Sequence, residues 1–122
     1  EVVERMVAQA GSSDFSRLSV MLQARYDMEL VLEVPPEAFE PAPKVNSAVV
    51  RMIPRKEFHL NSAQWSALEQ VVAAAFSQRR KMLRTNLQPF ASKLRLSEDE
   101  LKARAQDISV DRYIEWAKLL AN

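Results

Sequence analysis

Arg79, Arg80, Lys81 and Arg84 place four cations within six residues of "FSQRRKMLRTNL" (Phe76 to Leu87), with no acid among them. Planar guanidinium forks suit phosphate, and such a block supplies the salt-dependent contact that a nucleic-acid backbone needs. The competing reading is a solvated helix end, where the macrodipole favours each cation by about 0.3–1 kcal/mol. It covers Arg80, Lys81 and Arg84. On a wheel of 100° per residue, Trp65, Leu68, Val72, Ala75, Phe76 and Leu83 form one stripe of a helix expected from Trp65 to Leu87. Arg79 falls in the middle of that stripe. An unpaired buried guanidinium is very costly, so Arg79 needs a carboxylate, a set of carbonyls or a phosphate.

The second candidate is Phe39. "PPEAFEPAPK" (Pro35 to Lys44) holds four prolines in ten residues and reads as a stiff, extended loop. Its one large aromatic is either a hydrophobic plug over a sheet edge or a platform on which an unstacked base rests at low entropy cost. Asn46 and Ser47, at the mouth of the next strand, either bond a base edge or satisfy local backbone.

The elements that position these residues follow from periodicity and caps. Val3, Met6, Val7 and Ala10 have helical spacing, and Gly11 is a natural stop. "SSDF" offers cap oxygens for a second helix, "SRLSVMLQARY". Met28 to Val34 alternates as a strand. Val45 to Pro54 is a second strand, and its apolar groups on both faces predict a buried place in a sheet. Beyond Lys56 the pattern is purely helical. Asn61 or Ser62 caps the helix that leads to the basic block, Ser97 and Glu100 form a capping box, and Ser109 opens the last helix.

Composition narrows the function. The chain has 122 residues, 48% of them hydrophobic, enough for a real core in one domain or one and a half. No apolar run approaches the roughly 18 residues of a membrane helix, so no membrane partner is expected. There is no cysteine, which removes disulfides and thiolate metal sites and suits a cytoplasmic location. With one histidine, His59, no multi-histidine metal site is expected. The net charge is only +1, so nucleic-acid affinity must come from local clustering. The single glycine, Gly11, leaves no Gly-rich loop to cradle a nucleotide-like cofactor. The chain begins with Glu1, and two strands are too few for a stable sheet alone. It is therefore expected to be part of something longer. A DNA-binding helical domain would show a base-reading helix and a dimer seam, and neither is clear.

Taken in order and spacing, "RLSVMLQ", "VLEVPPEAFEPAPKVNSAVVRMIP" and "AFSQRRKMLRTNL" resemble the C-terminal half of the KsgA-type ribosomal RNA adenine dimethyltransferases. The resemblance covers nearly the whole chain. It implies an α/β plus all-α architecture. Residues 1–55 are then the C-terminal part of a class I, Rossmann-like methyltransferase domain with its last two strands, and residues 56–122 a small helical RNA-binding domain. It implies a full enzyme that moves methyl groups from S-adenosylmethionine to N6 of two adjacent adenosines near the 3′ end of small-subunit rRNA. The cofactor site is expected upstream of Glu1, and this segment alone is expected to be inactive and to bind no cofactor. The resemblance places Phe39 beside the target base and gives Arg79, Arg80, Lys81 and Arg84 to RNA, with the 30S subunit or its precursor as partner. The alternative is an rRNA-binding or ribosome-assembly module with no chemistry of its own.

Overall fold

A computed structural model describes residues 2–34, 47–55 and 60–122. The proline loop with Phe39, and His59, lie outside the described residues, as do the side chains of residues 32–34, 47 and 48.

The chain opens with helix α1 (Val2–Val7) and turns at Gly11, whose φ of 92° is the left-handed conformation that glycine adopts freely. The Gly11 N–H donates to the Gln106 carbonyl at 2.7 Å, which fastens this turn to the far end of the chain. Helix α2 (Arg17–Gln23) follows. Its cap is Ser16, four residues after the first serine of "SSDF": the Ser16 N–H donates to Ser19 Oγ at 3.0 Å. The Gln23 amide ties α2 back to α1 by donating to the carbonyls of Met6 (3.0 Å) and Ala8 (2.7 Å).

Strands β1 (Tyr26–Val34) and β2 (Ser47–Pro54) pair antiparallel, with Tyr26 opposite Pro54 and Val34 opposite Ser47. The register shifts between Leu30 and Leu32, leaving Val31 as an extra residue on β1. The expectation of a buried β2 is corrected here. Val49 is 50% exposed, Met52 42% and Ile53 47%. Among the described residues β2 has β1 as its one strand neighbour, and apolar side chains on the strand meet solvent.

The core belongs to the helices. Helix α3 (Ser62–Ala75) starts at Asn61, whose side chain accepts from the Gln64 N–H at 2.8 Å while Gln64 accepts from the Asn61 N–H at 2.9 Å. It buries Leu68, Val71, Val72 and Ala75. Facing it is helix α7 (Val110–Ala121), capped by Ser109, which buries Tyr113, Ile114, Trp116 and Ala117. Helices α4 (Leu83–Asn86), α5 (Ala91–Leu94) and α6 (Glu98–Lys102) are short and complete the shell with Leu83, Leu87 and Leu94. Phe15, Val20 and Ala24 from the N-terminal part belong to the same buried cluster. An aromatic file joins both parts: Phe15 to Phe76 at 6.3 Å, Phe76 to Tyr113 at 6.0 Å, and Tyr113 edge-on to Trp116 at 5.3 Å. The buried Tyr113 hydroxyl is satisfied by donating to the Ala105 carbonyl at 2.7 Å. Burial raises its pKa far above the ordinary phenol value, and Asp107 adds to that shift while Arg79 opposes it. Among the described residues no helix is long and apolar enough to cross a membrane.

Candidate nucleic-acid interface

The helix expected to run from Trp65 to Leu87 stops at Ala75, and its basic end is a turn instead. Three side-chain hydrogen bonds explain the stop. The Ser77 hydroxyl donates to the Ala74 carbonyl at 2.6 Å, and the Asn86 amide donates to the carbonyls of Ala75 and Gln78, both at 2.9 Å. Carbonyls at a helix C-terminus lack intrahelical partners, and Asn86 supplies one from the next helix. The turn is tightened by Lys81 N–H donating to Gln78 (3.0 Å) and is pinned to the α6 end by Leu83 N–H donating to Ala103 (2.8 Å). Leu83 and Leu87 are fully buried beneath it.

This geometry separates the four cations. Arg80, Lys81 and Arg84 are exposed around the turn. The exposed Met82, at 48%, stands among them. Arg79 is half-buried, but not because it lies on a helix stripe; that expectation fails with the helix. It turns inward, donating from Nη2 to the Ser13 carbonyl at 3.1 Å, with its guanidinium 5.6 Å from the Phe76 ring centre. Of the acceptors expected for it, the structure provides a carbonyl.

Two features escaped the sequence. Asn86 organises the basic turn, yet an asparagine inside a helical pattern carries no local sign that it reaches eleven residues back. Arg25 lies 4.2 Å over the Trp65 ring, a contact between α2's end and α3 that periodicity cannot show. Phe39 lies outside the described residues. Among those residues no group of histidines, cysteines and carboxylates is placed to hold a metal. Gly11, the single glycine, is used in the turn onto Gln106. The residues present therefore do not form a Gly-rich cofactor loop.

Comparison with known proteins extends this picture. The sequence model of the family described as "Ribosomal RNA adenine dimethylase" matches residues 1–122. A Burkholderia mallei protein named ribosomal RNA small subunit methyltransferase A is 51% identical over 124 residues, covering 100% of this chain and 45% of that protein. Its namesake in Burkholderia lata is 53% identical over 123 residues, covering 99% of this chain and 45% of that protein. The chain thus spans under half the length of these relatives. Among solved structures, a dimethyladenosine transferase from Plasmodium falciparum superposes with a TM-score of 0.76 at 20% identity, over 94% of this chain and 52% of that one. The 23S rRNA methyltransferase ErmE superposes with a TM-score of 0.66 at 20% identity, over 99% and 51%. These likenesses show the fold: β1 and β2 with the helices before them are the C-terminal edge of a Rossmann-like domain, and a helical part follows.

Proposed function

The chain belongs to the ribosomal RNA adenine dimethylase family, and from that premise we propose that it is the rRNA-docking part of an S-adenosylmethionine-dependent enzyme that dimethylates N6 of two adjacent adenosines near the 3′ end of small-subunit rRNA. The division into residues 1–55, the edge of the methyltransferase domain, and residues 56–122, the helical RNA-binding part, is proposed for the longer protein. When bound, the cofactor supplies the methyl group. No residue of this chain is assigned to it.

The observation that carries the docking role is the preorganised basic turn. Asn86, Ser77 and the Leu83–Ala103 bond hold Gln78 to Leu83 in one shape, from which Arg80, Lys81 and Arg84 project into solvent. A fixed turn spends little ordering entropy when its cations meet phosphate. Three exposed cations on a fixed turn fit contact with a nucleic-acid backbone, which positions a protein without reading sequence. The partner is the 30S subunit or its precursor, and the cytoplasm is the matching location.

Changing Arg80, Lys81 and Arg84 together to Ala in the full-length protein tests this. Affinity for under-methylated small subunits should fall, and the slope of log K against log salt should flatten by roughly 0.7–0.9 for each phosphate no longer neutralised. Unchanged affinity and slope would reduce the block to a solvated turn.

Phe39 is proposed as one wall of the target-base pocket. A flipped adenine loses its stack, and an aromatic face restores roughly 1–3 kcal/mol by analogy with single-strand binders. Phe39→Tyr should retain more methylation activity than Phe39→Leu, with ribosomal affinity unchanged in both. Equal rates would make Phe39 a plug.

A further inference from the structure

Arg25 stands between Ala24, the cap of α2, and Tyr26, the first residue of β1. Its two backbone torsions therefore set the angle at which the ribbon leaves the helices, and residues at element ends are where such angles change. Upstream the chain is fixed, because Val20 and Ala24 are fully buried in the helical core. Arg25 itself is held in three ways. Its N–H donates to the Leu22 carbonyl at 3.1 Å. Its carbonyl accepts from the Arg55 N–H at 2.8 Å, which draws in the residue after β2. Arg55 Nε also donates to the Gln23 carbonyl at 2.7 Å, at the C-terminus of α2, where carbonyls lack intrahelical partners. Third, the exposed Arg25 side chain lays its guanidinium 4.2 Å over the ring of Trp65, near the start of α3. Trp65 in turn packs on the core.

We propose that Arg25 is a positioning residue: through Trp65 it locks the joint between ribbon and helices, and so fixes the span from the basic turn to the far end of the ribbon. The inference rests on the rRNA-docking and base-pocket readings and adds what joins them. At that far end Val34 lies opposite Ser47, and the chain between them carries Phe39. The nine residues of β1, at about 3.3 Å each, span roughly 30 Å, so a tilt of about 10° at Arg25 moves the far end by about 5 Å. A reacting group misplaced by about 1 Å can cost on the order of 100-fold in rate. An exposed cation over a ring adds little to folding stability, so its effect falls on alignment.

The test uses the full-length protein, with methyl transfer from S-adenosylmethionine to under-methylated small ribosomal subunits as the reaction and subunit affinity measured separately. Arg25→Ala should lower kcat about tenfold or more, with affinity, salt slope and melting temperature nearly unchanged. Arg25→Lys keeps a cation over the ring and should recover most of kcat. Trp65→Leu should also lower kcat, and adding it to Arg25→Ala should cost little more, because both changes open one contact. An unchanged kcat in Arg25→Ala overturns the proposal. So do losses that multiply in the double variant, or a fall in affinity with kcat unchanged, which would make Arg25 a docking contact. If the Arg80, Lys81 and Arg84 triple variant loses affinity while Arg25→Ala keeps full kcat, the lock fails and the docking reading stands. If the triple variant binds normally while Arg25→Ala lowers kcat alone, the docking reading fails and the lock stands. If Phe39→Leu matches Phe39→Tyr while Arg25→Ala lowers kcat alone, the base wall fails and the lock stands. Should Arg25→Ala unfold the protein, Arg25→Gln, which keeps the stem without the charge, takes its place.

Discussion

Arg79 donates a hydrogen bond to the Ser13 carbonyl, joining positions 66 residues apart. The bond links the basic turn to the segment before α2, and the Phe76 ring lies against the same guanidinium. A partly exposed charged hydrogen bond and a weak cation–π contact each contribute modestly, so Arg79→Ala should cost about 1–2 kcal/mol. Arg80→Ala, at an exposed position without such contacts, should stay within about 0.5 kcal/mol of the parent. Urea unfolding of the full-length protein at neutral pH separates the two. Equal stability for both variants would mean that the Ser13 bond adds nothing.

Asn86 offers a sharper case. Its amide satisfies Ala75 and Gln78 together, so Asn86→Asp replaces two donors with a carboxylate facing two carbonyl oxygens. Broken bonds and carbonyls left unsatisfied should cost about 2–3 kcal/mol. The loss should also be local: amide exchange from Gln78 to Leu83 should quicken more than exchange in the middle of α7. Uniform acceleration across the chain would show a global loss of stability and no special hold on the turn.

What the sequence disclosed follows from how far each signal reaches along the chain. The Asn61, Ser97 and Ser109 caps were legible because a cap and its partner sit three residues apart, and all three form as expected. The α7 face is legible in Val110, Tyr113, Ile114 and Ala117, but that stripe omits Trp116, which is fully buried one turn beyond Tyr113. The end of α3 was not legible. No glycine or proline marks it, and the stop depends on Asn86 reaching back from another helix. The need of Arg79 for an acceptor was legible as chemistry, while its location depended on a helix that ends four residues earlier. The exposure of β2 was not legible because apolar groups on both faces of a strand do not say what covers them.

The β1–β2 surface gives a third expectation. Val31, Val49 and Ile53 are each about half exposed, on a ribbon that has two strands among the described residues. Apolar ribbons with open edges associate. The 122-residue chain should therefore self-associate with rising concentration in sedimentation experiments. Val49→Lys with Ile53→Lys should suppress this without unfolding the helices, whose core does not include either residue. Self-association unaffected by the double change would locate the contact elsewhere.

Glu100 and Arg112 make the last expectation, in pH. Arg112 donates from Nε to one Glu100 oxygen at 2.6 Å and from Nη2 to the other at 3.0 Å, a two-pronged pair. Glu100 also accepts from the Ser97 N–H at 2.9 Å, closing the α6 capping box. The Glu100 side chain is 17% exposed and that of Arg112 27%, so solvent screens the pair only in part. Hydrogen bonding from Arg112 is the largest cause holding the Glu100 carboxyl below its ordinary value of 4.5; burial opposes it, and the Ser97 N–H helps. A carboxyl whose pKa is depressed by folding stabilises the fold fully above its unfolded value. That stabilisation disappears as pH falls through the folded value. Glu100→Gln should therefore be less stable than the parent by about 1–2 kcal/mol at pH 7. The gap should hold down to about pH 5, then close below 4.5 as the parent's own carboxyl takes up its proton. Thermal unfolding of parent and variant from pH 7 to pH 2 measures it directly. Curves that coincide at every pH would show that the carboxylate charge contributes nothing and that the capping hydrogen bond, which a glutamine can also accept, accounts for the role of residue 100.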